Sequence, residues 1–193
     1  MSEHKTEKHS GSLAGTLLVA TPGMADPRFA RTVIYICSHS PAGAMGVVVN
    51  RLFGALDFCS LLDQMEIKTD STTPPVRIHY GGPVENNRGF VLHSADYQSE
   101  GTVPVDDQVC LTATVDILRA IAQGHGPNRC FLALGYAGWG PGQLDTELQA
   151  NGWLVAPSAE TLLFDDHLET KWERAIAQLG ITPASLSAEI GHA

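Results

Sequence analysis

The sequence predicts an α+β fold that is built on a mixed sheet. Two apolar runs near the front, residues 32–37 and 45–50, are joined by polar or small residues and are typical of a β-hairpin. In the middle, an apolar strand at 130–134 leads into a short helix at 143–151 and a further strand that begins at Trp153. No segment repeats at a fixed period, which argues against a solenoid. Hairpins combined with one strand–helix–strand passage therefore favour the α+β class.

The remaining elements follow from hydrophobic periodicity and from capping residues. Short runs of β-forming or alternating residues predict further strands at 13–21, 76–80, 90–93 and 109–112. Apolar residues at helical spacing, with capping residues or a terminal glycine beside them, predict helices at 57–65, 114–124 and 168–179. Single helical turns are expected after Asp26, after Pro157 and at Thr182. Residues 96–105 are rich in turn formers, and we expect no strand there.

Length and charge limit the domain count and the classes of partner. The 193 residues are expected to form a polar, disordered tail over residues 1–12 and a single globular domain over 13–193. The net charge is −9, with 21 acidic against 12 basic residues, and no basic run of three occurs. Because nucleic-acid binding depends on Lys and Arg at the phosphates, this balance argues against a nucleic-acid partner. No apolar stretch approaches the roughly 18 residues of a membrane span, so no membrane partner is expected.

The four cysteines indicate the compartment. Cys37, Cys59, Cys110 and Cys130 are widely spaced and form no C-x-x-C pair, which excludes zinc-ribbon and thioredoxin motifs. Apolar neighbours surround most of them, as expected for buried, reduced thiols. The sequence therefore predicts a cytoplasmic protein without disulfides.

A glycine-rich segment at 135–142 follows the central strand. Its glycines are expected to turn the backbone sharply and to lead through Pro141 into the short helix. Trp139 lies inside this segment, and two interpretations stay open: an exposed contact for a partner or ring-shaped ligand, or an indole packed onto its own helix. Gln143 begins the polar stripe of that helix. The helix start is weighed as an anion site, but a structural turn is the preferred interpretation.

A second glycine corner lies at 81–84, where Gly82 allows close backbone approach. Arg88 follows it and is a candidate to hold a carboxylate or phosphate, against the simpler interpretation of a solvent-exposed arginine. The two glycine corners together are the predicted binding region.

Motifs for defined chemistry are missing. The G-x-G-x-x-G pattern fails because its third glycine falls on Gln143, and no P-loop lysine is present. The G-x-S-x-G elbow of serine hydrolases and the HExxH zinc motif are also missing. His79 and His93 are weighed as a cross-strand metal pair, but solvent-facing strand histidines are the preferred interpretation. We therefore expect no metal and no cofactor, and we name no catalytic residue.

Several stretches together resemble the AlgH/YqgE family of small bacterial proteins. The most specific is the segment Gly-Tyr-Ala-Gly-Trp-Gly-Pro-Gly-Gln-Leu at 135–144; others lie at 15–24, 33–50, 81–84 and 88–93. The resemblance implies an α+β fold in which a bifurcated sheet, partly closed into a small barrel, is surrounded by helices. It implies no defined reaction, although a role as transcriptional regulator is commonly attached to the family.

Three hypotheses about function follow. The first is a non-catalytic binding or regulatory protein that acts through a protein partner or a small ligand, with candidate residues His39, Asn50, Gly82, Arg88, Trp139 and Gln143. The second is a hydrolase or transferase in which His39, Asn50 and Arg88 converge on a cleft. The third is a transcriptional regulator, which requires a basic face made by Arg28, Arg31, Arg51 and Arg77. The oligomeric state stays open.

Overall fold

The computed structural model of this protein describes residues 11–190. Within them the chain forms nine strands and six α-helices. The strands are β1 (Thr16–Ala20), β2 (Val33–Ser40), β3 (Gly43–Val48), β4 (Ile78–Tyr80), β5 (Val84–Ser94), β6 (Thr102–Pro104), β7 (Val109–Thr112), β8 (Cys130–Trp139) and β9 (Trp153–Pro157). The helices are α1 (Phe58–Gln64), α2 (Val115–Ala122), α3 (Gln143–Gln149), α4 (Glu160–Phe164), α5 (Lys171–Ala177) and α6 (Pro183–Ile190), with a 3₁₀ turn at Leu168–Thr170 before α5. Of the predicted tail, residues 1–10 lie outside the described residues.

All the strands join one curled sheet that forms a half-barrel. Its order is β6-β7-β5-β8-β3-β2-β1-β9, and every neighbouring pair along this path is antiparallel. Strand β4 leaves the path and pairs with β8 in the parallel sense. The sheet is therefore mixed and forks at β8, which confirms the predicted α+β fold.

Strand β8 is longer than the sequence predicts. We expected the chain to turn at Gly135, but the strand continues to Trp139 and turns only at residues 140–142. Gly135 has φ +78°, and a Cβ there would lie 2.4 Å from the carbonyl oxygen of Gly82. Gly135 thus allows a bend in β8 and the close approach of the Gly82 backbone. The predicted turn at this position is therefore wrong.

Strand β5 was also underestimated. It begins at Val84 and not at Phe90, and its pairing with β8 shifts register between Val84 and Gly89. The residues between these two are polar and exposed, so they carry no buried alternation that would predict a strand. Edge strand β6 was missed for a similar reason, because only its first residue is even half-buried.

Three apolar clusters hold helices against the sheet. The first lies between the sheet and the C-terminal helices α4 and α5, and it includes Tyr35, Phe131 and Trp172. The second lies beneath α1 and α2, and the third beneath α3. Burial of side chains of this size, worth roughly 1.5–3 kcal/mol each, is what fixes these helices in place.

The predicted helix at 168–179 is a 3₁₀ turn followed by α5, and the last predicted turn is the longer helix α6. No helix among residues 11–190 is long and apolar enough to cross a membrane.

Candidate functional site

The two glycine corners meet in the fold. A Cβ on Gly82 would lie 2.1 Å from the carbonyl carbon of Tyr136, and one on Gly81 would lie 2.2 Å from the carbonyl oxygen of Gly135. Gly82 also has φ +153°, a conformation that side chains rarely adopt. The backbone after β4 therefore lies directly on β8, and this contact sets the direction in which β5 begins.

An open groove with a volume of about 600 Å³ lies beside this crossing. Its walls are the end of the β2–β3 hairpin, the start of β5 and the end of β8. The polar and aromatic side chains that line it are Ser38, Ser40, Glu85, Arg88, Phe90, Tyr136 and Trp139. A concave surface with apolar walls and a few polar groups is the usual form of a ligand site.

Arg88 is the cationic group of the groove. Its guanidinium lies over the ring of Phe90, 5.1 Å from the centroid, and the Phe90 ring meets Tyr136 edge-on at 5.7 Å. Its one ion pair, to Glu85, measures 3.6 Å between Nη1 and Oε2, and within residues 11–190 the guanidinium makes no hydrogen bond. The donors of Arg88 are thus available to a planar anion, as the sequence suggested.

Trp139 is largely buried, as the interpretation of an indole packed onto its own helix requires, and it also borders the groove. The side chain is 7% exposed, packs in the cluster beneath α3, and donates its indole N–H to Glu147 Oε2 at 2.9 Å. Gln143 serves the same turn, because its Oε1 accepts the Gly140 N–H and its Nε2 donates to Glu147 Oε1, each at 3.0 Å. Both side chains therefore have structural partners that explain their positions.

His39 points away from the groove. Ser38 and Ser40 line the groove, and alternation along β2 directs the side chain of His39 to the opposite face. Its Nδ1 accepts the Leu13 N–H at 3.0 Å, which assigns the ring proton of the neutral form to Nε2. Nε2 in turn lies 4.0 Å from Asp145 Oδ1. His39 thus anchors the chain entering β1 and does not face the groove.

Asn50 lies at the other end of the same hairpin. Its Oδ1 accepts the Val33 N–H and its Nδ2 donates to the Arg31 carbonyl, both at 2.9 Å. These bonds hold Arg31 in the left-handed conformation, with φ +56°. Val33 and His39 stand at the two ends of β2, about 20 Å apart at 3.3 Å per residue. The predicted convergence of His39, Asn50 and Arg88 on one cleft is therefore wrong.

The four arginines of the predicted basic face are all engaged locally. Three form ion pairs with carboxylates: Arg28 with Asp26, Arg31 with Glu173, and Arg77 with Asp166. Two donate to backbone carbonyls: Arg51 to those of Arg28 and Ala30, and Arg77 to those of Phe164 and Asp165. A carboxylate offsets the charge of three of the four arginines, so these residues do not form an unpaired basic face.

His79 is buried, which the sequence interpretation missed. We expected a solvent-facing ring, but His79 is stacked on Phe131, with centroids 4.0 Å apart. Among residues 11–190 neither ring nitrogen has a hydrogen-bond partner. Burial lowers the pKa of His79 to about 3, with the cations of Arg77 and Lys171 acting in the same direction.

His93 is buried as well, and its Nε2 bonds Thr112 Oγ1 at 2.8 Å. In the part of the chain that the structure describes, no group of three or more His, Cys, Asp or Glu could hold a metal.

Lys171 is a second buried ionisable group, on α5. Its Nζ donates to the Leu163 carbonyl at 3.1 Å and lies 3.7 Å from Asp165 Oδ1. Burial lowers the pKa of Lys171 to about 8, although the Asp165 carboxylate works in the opposite direction. The only signal in the sequence was a lysine within the predicted helix at 168–179, and its burial depends on packing that periodicity does not reveal.

The fold and the groove define a class of protein: an α+β half-barrel with an open, arginine-bearing groove at a crossing of two glycine corners. A family model described as AlgH-like, DUF179, matches residues 17–184. The chain belongs to this family, which confirms the resemblance to the AlgH/YqgE proteins.

Relatives match over nearly the whole chain. A UPF0301 protein of Rhodospirillum rubrum is 52% identical over 187 residues, covering 97% of this chain and 97% of the relative. A UPF0301 protein of Rhodopseudomonas palustris is 54% identical, covering 94% and 89%. The solution structure of the AlgH protein from Pseudomonas aeruginosa superimposes with a TM-score of 0.77 at 38% identity over 100% of both chains. The crystal structure of protein DIP2367 from Corynebacterium diphtheriae, with a TM-score of 0.67, 23% identity and 83% coverage of both chains, shares the fold.

Proposed function

We propose that this protein is a non-catalytic binding or regulatory protein whose ligand lies in the groove beside the glycine crossing. The observation that carries the proposal is the Arg88 guanidinium, which lies over Phe90 at the groove wall and makes no hydrogen bond among the described residues. A guanidinium in this state can bind a carboxylate or phosphate through two parallel hydrogen bonds. The ligand is a small molecule, or a short segment of a partner protein, with an anionic group for Arg88 and an apolar group for Phe90 and Tyr136.

Neither rival hypothesis gains support from the geometry. The separation of His39 from Asn50 leaves the hydrolase or transferase without an assembled set of reactive side chains, and the engaged arginines leave the transcriptional regulator without a basic face. We propose a cytoplasmic location, which the four free thiols support.

Substitution of Arg88 tests the proposal. Arg88→Met keeps an apolar stem over Phe90 and removes the charge. Binding is screened by thermal shift against a panel of carboxylate and phosphate metabolites and short acidic peptides, and hits are quantified by calorimetry. We expect Arg88→Met to weaken a hit at least tenfold, since charged hydrogen bonds contribute about 1.5–3 kcal/mol.

The control is Arg119→Met, because Arg119 is also an exposed arginine paired with an acidic residue three positions earlier, Asp116. It lies on α2, away from the groove, and its variant should bind like the wild type. Equal binding by the wild type and Arg88→Met, or a panel without any hit, contradicts the proposal.

A further inference from the structure

We propose a second binding site in this protein: an apolar cavity between α1 and α2 that takes the hydrocarbon end of a small amphiphile. The cavity has a volume of about 150 Å³ and lies on the part of the sheet that the second apolar cluster covers. It is separate from the groove of Arg88, and none of the residues that line one also lines the other.

The walls of the cavity are aliphatic. Leu61 of α1 and Leu118 of α2 line it from the helices, and the sheet contributes Val91, Leu132 and Leu134. Of these five, all but Leu61 are buried in the fold. The cavity thus offers aliphatic dispersion contacts, from the sheet and from both helices, to a group that occupies it.

A water molecule in this cavity would find few hydrogen-bond partners. The buried polar side chain in the lining is Thr112, and its hydroxyl is already bonded to His93 Nε2 at 2.8 Å and to Thr102 Oγ1 at 2.9 Å. A buried water needs about two to four polar partners, whereas an apolar cavity of about 150 Å³ accepts a benzene-sized group. A ring or chain of about six carbons therefore fits this cavity better than water does.

The mouth of the cavity has the features that an amphiphile needs. Met65 and Val115 edge it, and both are large apolar side chains left 37% and 41% exposed. Beside them stand the Asn87 amide and the Thr114 hydroxyl, whose side chains make no hydrogen bond within residues 11–190. A ligand that fills the cavity would cover the two apolar side chains and place a polar head against the two free donors.

Gly89 leaves the space open. A Cβ at this position would stand 3.1 Å from Leu132 Cδ1, at the end of a flexible side chain, and its φ is not in the left-handed region. A larger residue is therefore tolerated by the backbone and projects toward the side chains that form the cavity. Its neighbour Phe90 faces the groove, so substitutions on β5 can alter one site and leave the other intact.

Hexanoate is the probe for the test. It is titrated against the full chain labelled at methyl groups, and binding is followed by methyl chemical shifts in NMR spectra. We expect saturable shifts of the Leu61, Val91, Leu118 and Leu132 methyls, with butanoate binding at least fivefold more weakly because it lacks two buried methylenes, each worth about 0.8 kcal/mol. Gly89→Val fills the cavity and should weaken hexanoate at least tenfold.

Two further variants keep the test decisive. Leu61→Trp fills the same space from the helix side, and it replaces Gly89→Val if that variant does not fold. Val84→Ala alters the groove and should leave unchanged the hexanoate affinity that is measured at the cavity methyls. Shifts that do not saturate, shifts confined to the groove, or undiminished binding by a folded cavity-filling variant would overturn the proposal. Failure here leaves the groove proposal untouched, because that site is tested through Arg88.

Discussion

Glu147 holds Trp139 through a hydrogen bond of 2.9 Å from the indole N–H to Oε2, and the same oxygen accepts the indole N–H of Trp153 at 2.8 Å. The two indoles belong to the end of β8 and the start of β9, and their rings meet edge-on at 6.2 Å. One carboxylate on α3 therefore satisfies two buried donors and ties the helix to both strands that flank it. This arrangement explains why the tryptophan in the glycine-rich segment is buried.

Glu147→Leu should destabilise the protein by about 2–4 kcal/mol, because it leaves two buried indole N–H groups unsatisfied at roughly 1–3 kcal/mol each. Urea unfolding followed by tryptophan fluorescence measures the change. Gln149→Leu is the control, since it places the same residue at an exposed position of the same helix and should be nearly neutral. A Glu147→Leu variant as stable as this control would show that the carboxylate does not hold the indoles.

Gly82→Ala should be among the most damaging small substitutions in the chain. The new Cβ would collide with the backbone of Tyr136 and Ala137, which cannot rotate away, and φ +153° adds strain. We expect a loss of at least about 3 kcal/mol in the free energy of unfolding, or failure to fold. Gly54→Ala has open space around its Cβ and should change stability by less than about 0.5 kcal/mol. Similar urea midpoints for the two variants would contradict the close crossing.

The sequence predicted most elements because they carry local signals. The hairpin of β2 and β3, the capped helix α1 and the amphipathic helix α2 all have apolar periodicity and turn residues within one window. Strand β8 has no such local signal. Its glycines favour a turn when only neighbouring residues are considered, but Gly135 is required because the backbone of Gly82, 53 positions earlier in the chain, lies against it. A long-range contact of this kind leaves no trace in a sequence window.

The candidate site was predicted only in part, for the same reason. Gly82 and Arg88 were identified by residue type, and both lie at or beside the groove. The predicted convergence of His39 and Asn50 was wrong, because His39 lies near the end of β2 and Asn50 is bonded to Val33 at its start. Burial of His79 was missed, since its ring lies against Phe131, a partner on another strand.

His79 should make the protein sensitive to acid. Its folded pKa of about 3 is below the unfolded value of about 6.5, so below pH 6.5 the unfolded chain binds a proton that the folded protein excludes. Stability from this residue is complete above pH 6.5 and is lost as the pH falls toward 3, by on the order of 3–5 kcal/mol at about 1.4 kcal/mol per pKa unit. His79→Phe keeps a ring to stack on Phe131 and should flatten the fall, as measured by urea midpoints from pH 7 to 4.

The control for this experiment is His125→Gln, which removes an exposed histidine and should retain the full acid dependence. If His79→Phe and the wild type lose stability in parallel between pH 6.5 and 4, the buried ring is not the group that titrates.

Lys171 should give a dependence of the same sign at alkaline pH, with stability rising as the pH rises. Its folded pKa of about 8 lies below the unfolded value of about 10.4. Between these two pH values Lys171 is therefore neutral in the folded protein and still protonated in the unfolded chain. The cost of burying the charge is therefore complete below pH 8 and is relieved as the pH rises to about 10.4. Lys171→Met removes this cost at the loss of the hydrogen bond to the Leu163 carbonyl and of the ion pair with Asp165. Because Asp165 keeps its ion pair with Arg174, the variant should be as stable as the wild type or more stable at pH 7.

The decisive quantity is the difference in unfolding free energy between Lys171→Met and the wild type, because thiols and tyrosines also titrate above pH 8 and cancel in the difference. We expect the wild type to gain on the variant by about 1.4 kcal/mol per pH unit between pH 8 and 10, measured by urea unfolding. The matched variant Lys68→Met removes an exposed lysine and should run parallel to the wild type. A constant difference for Lys171→Met over this range would mean that Asp165 holds the buried ammonium protonated throughout, and that its burial carries no pH-dependent cost.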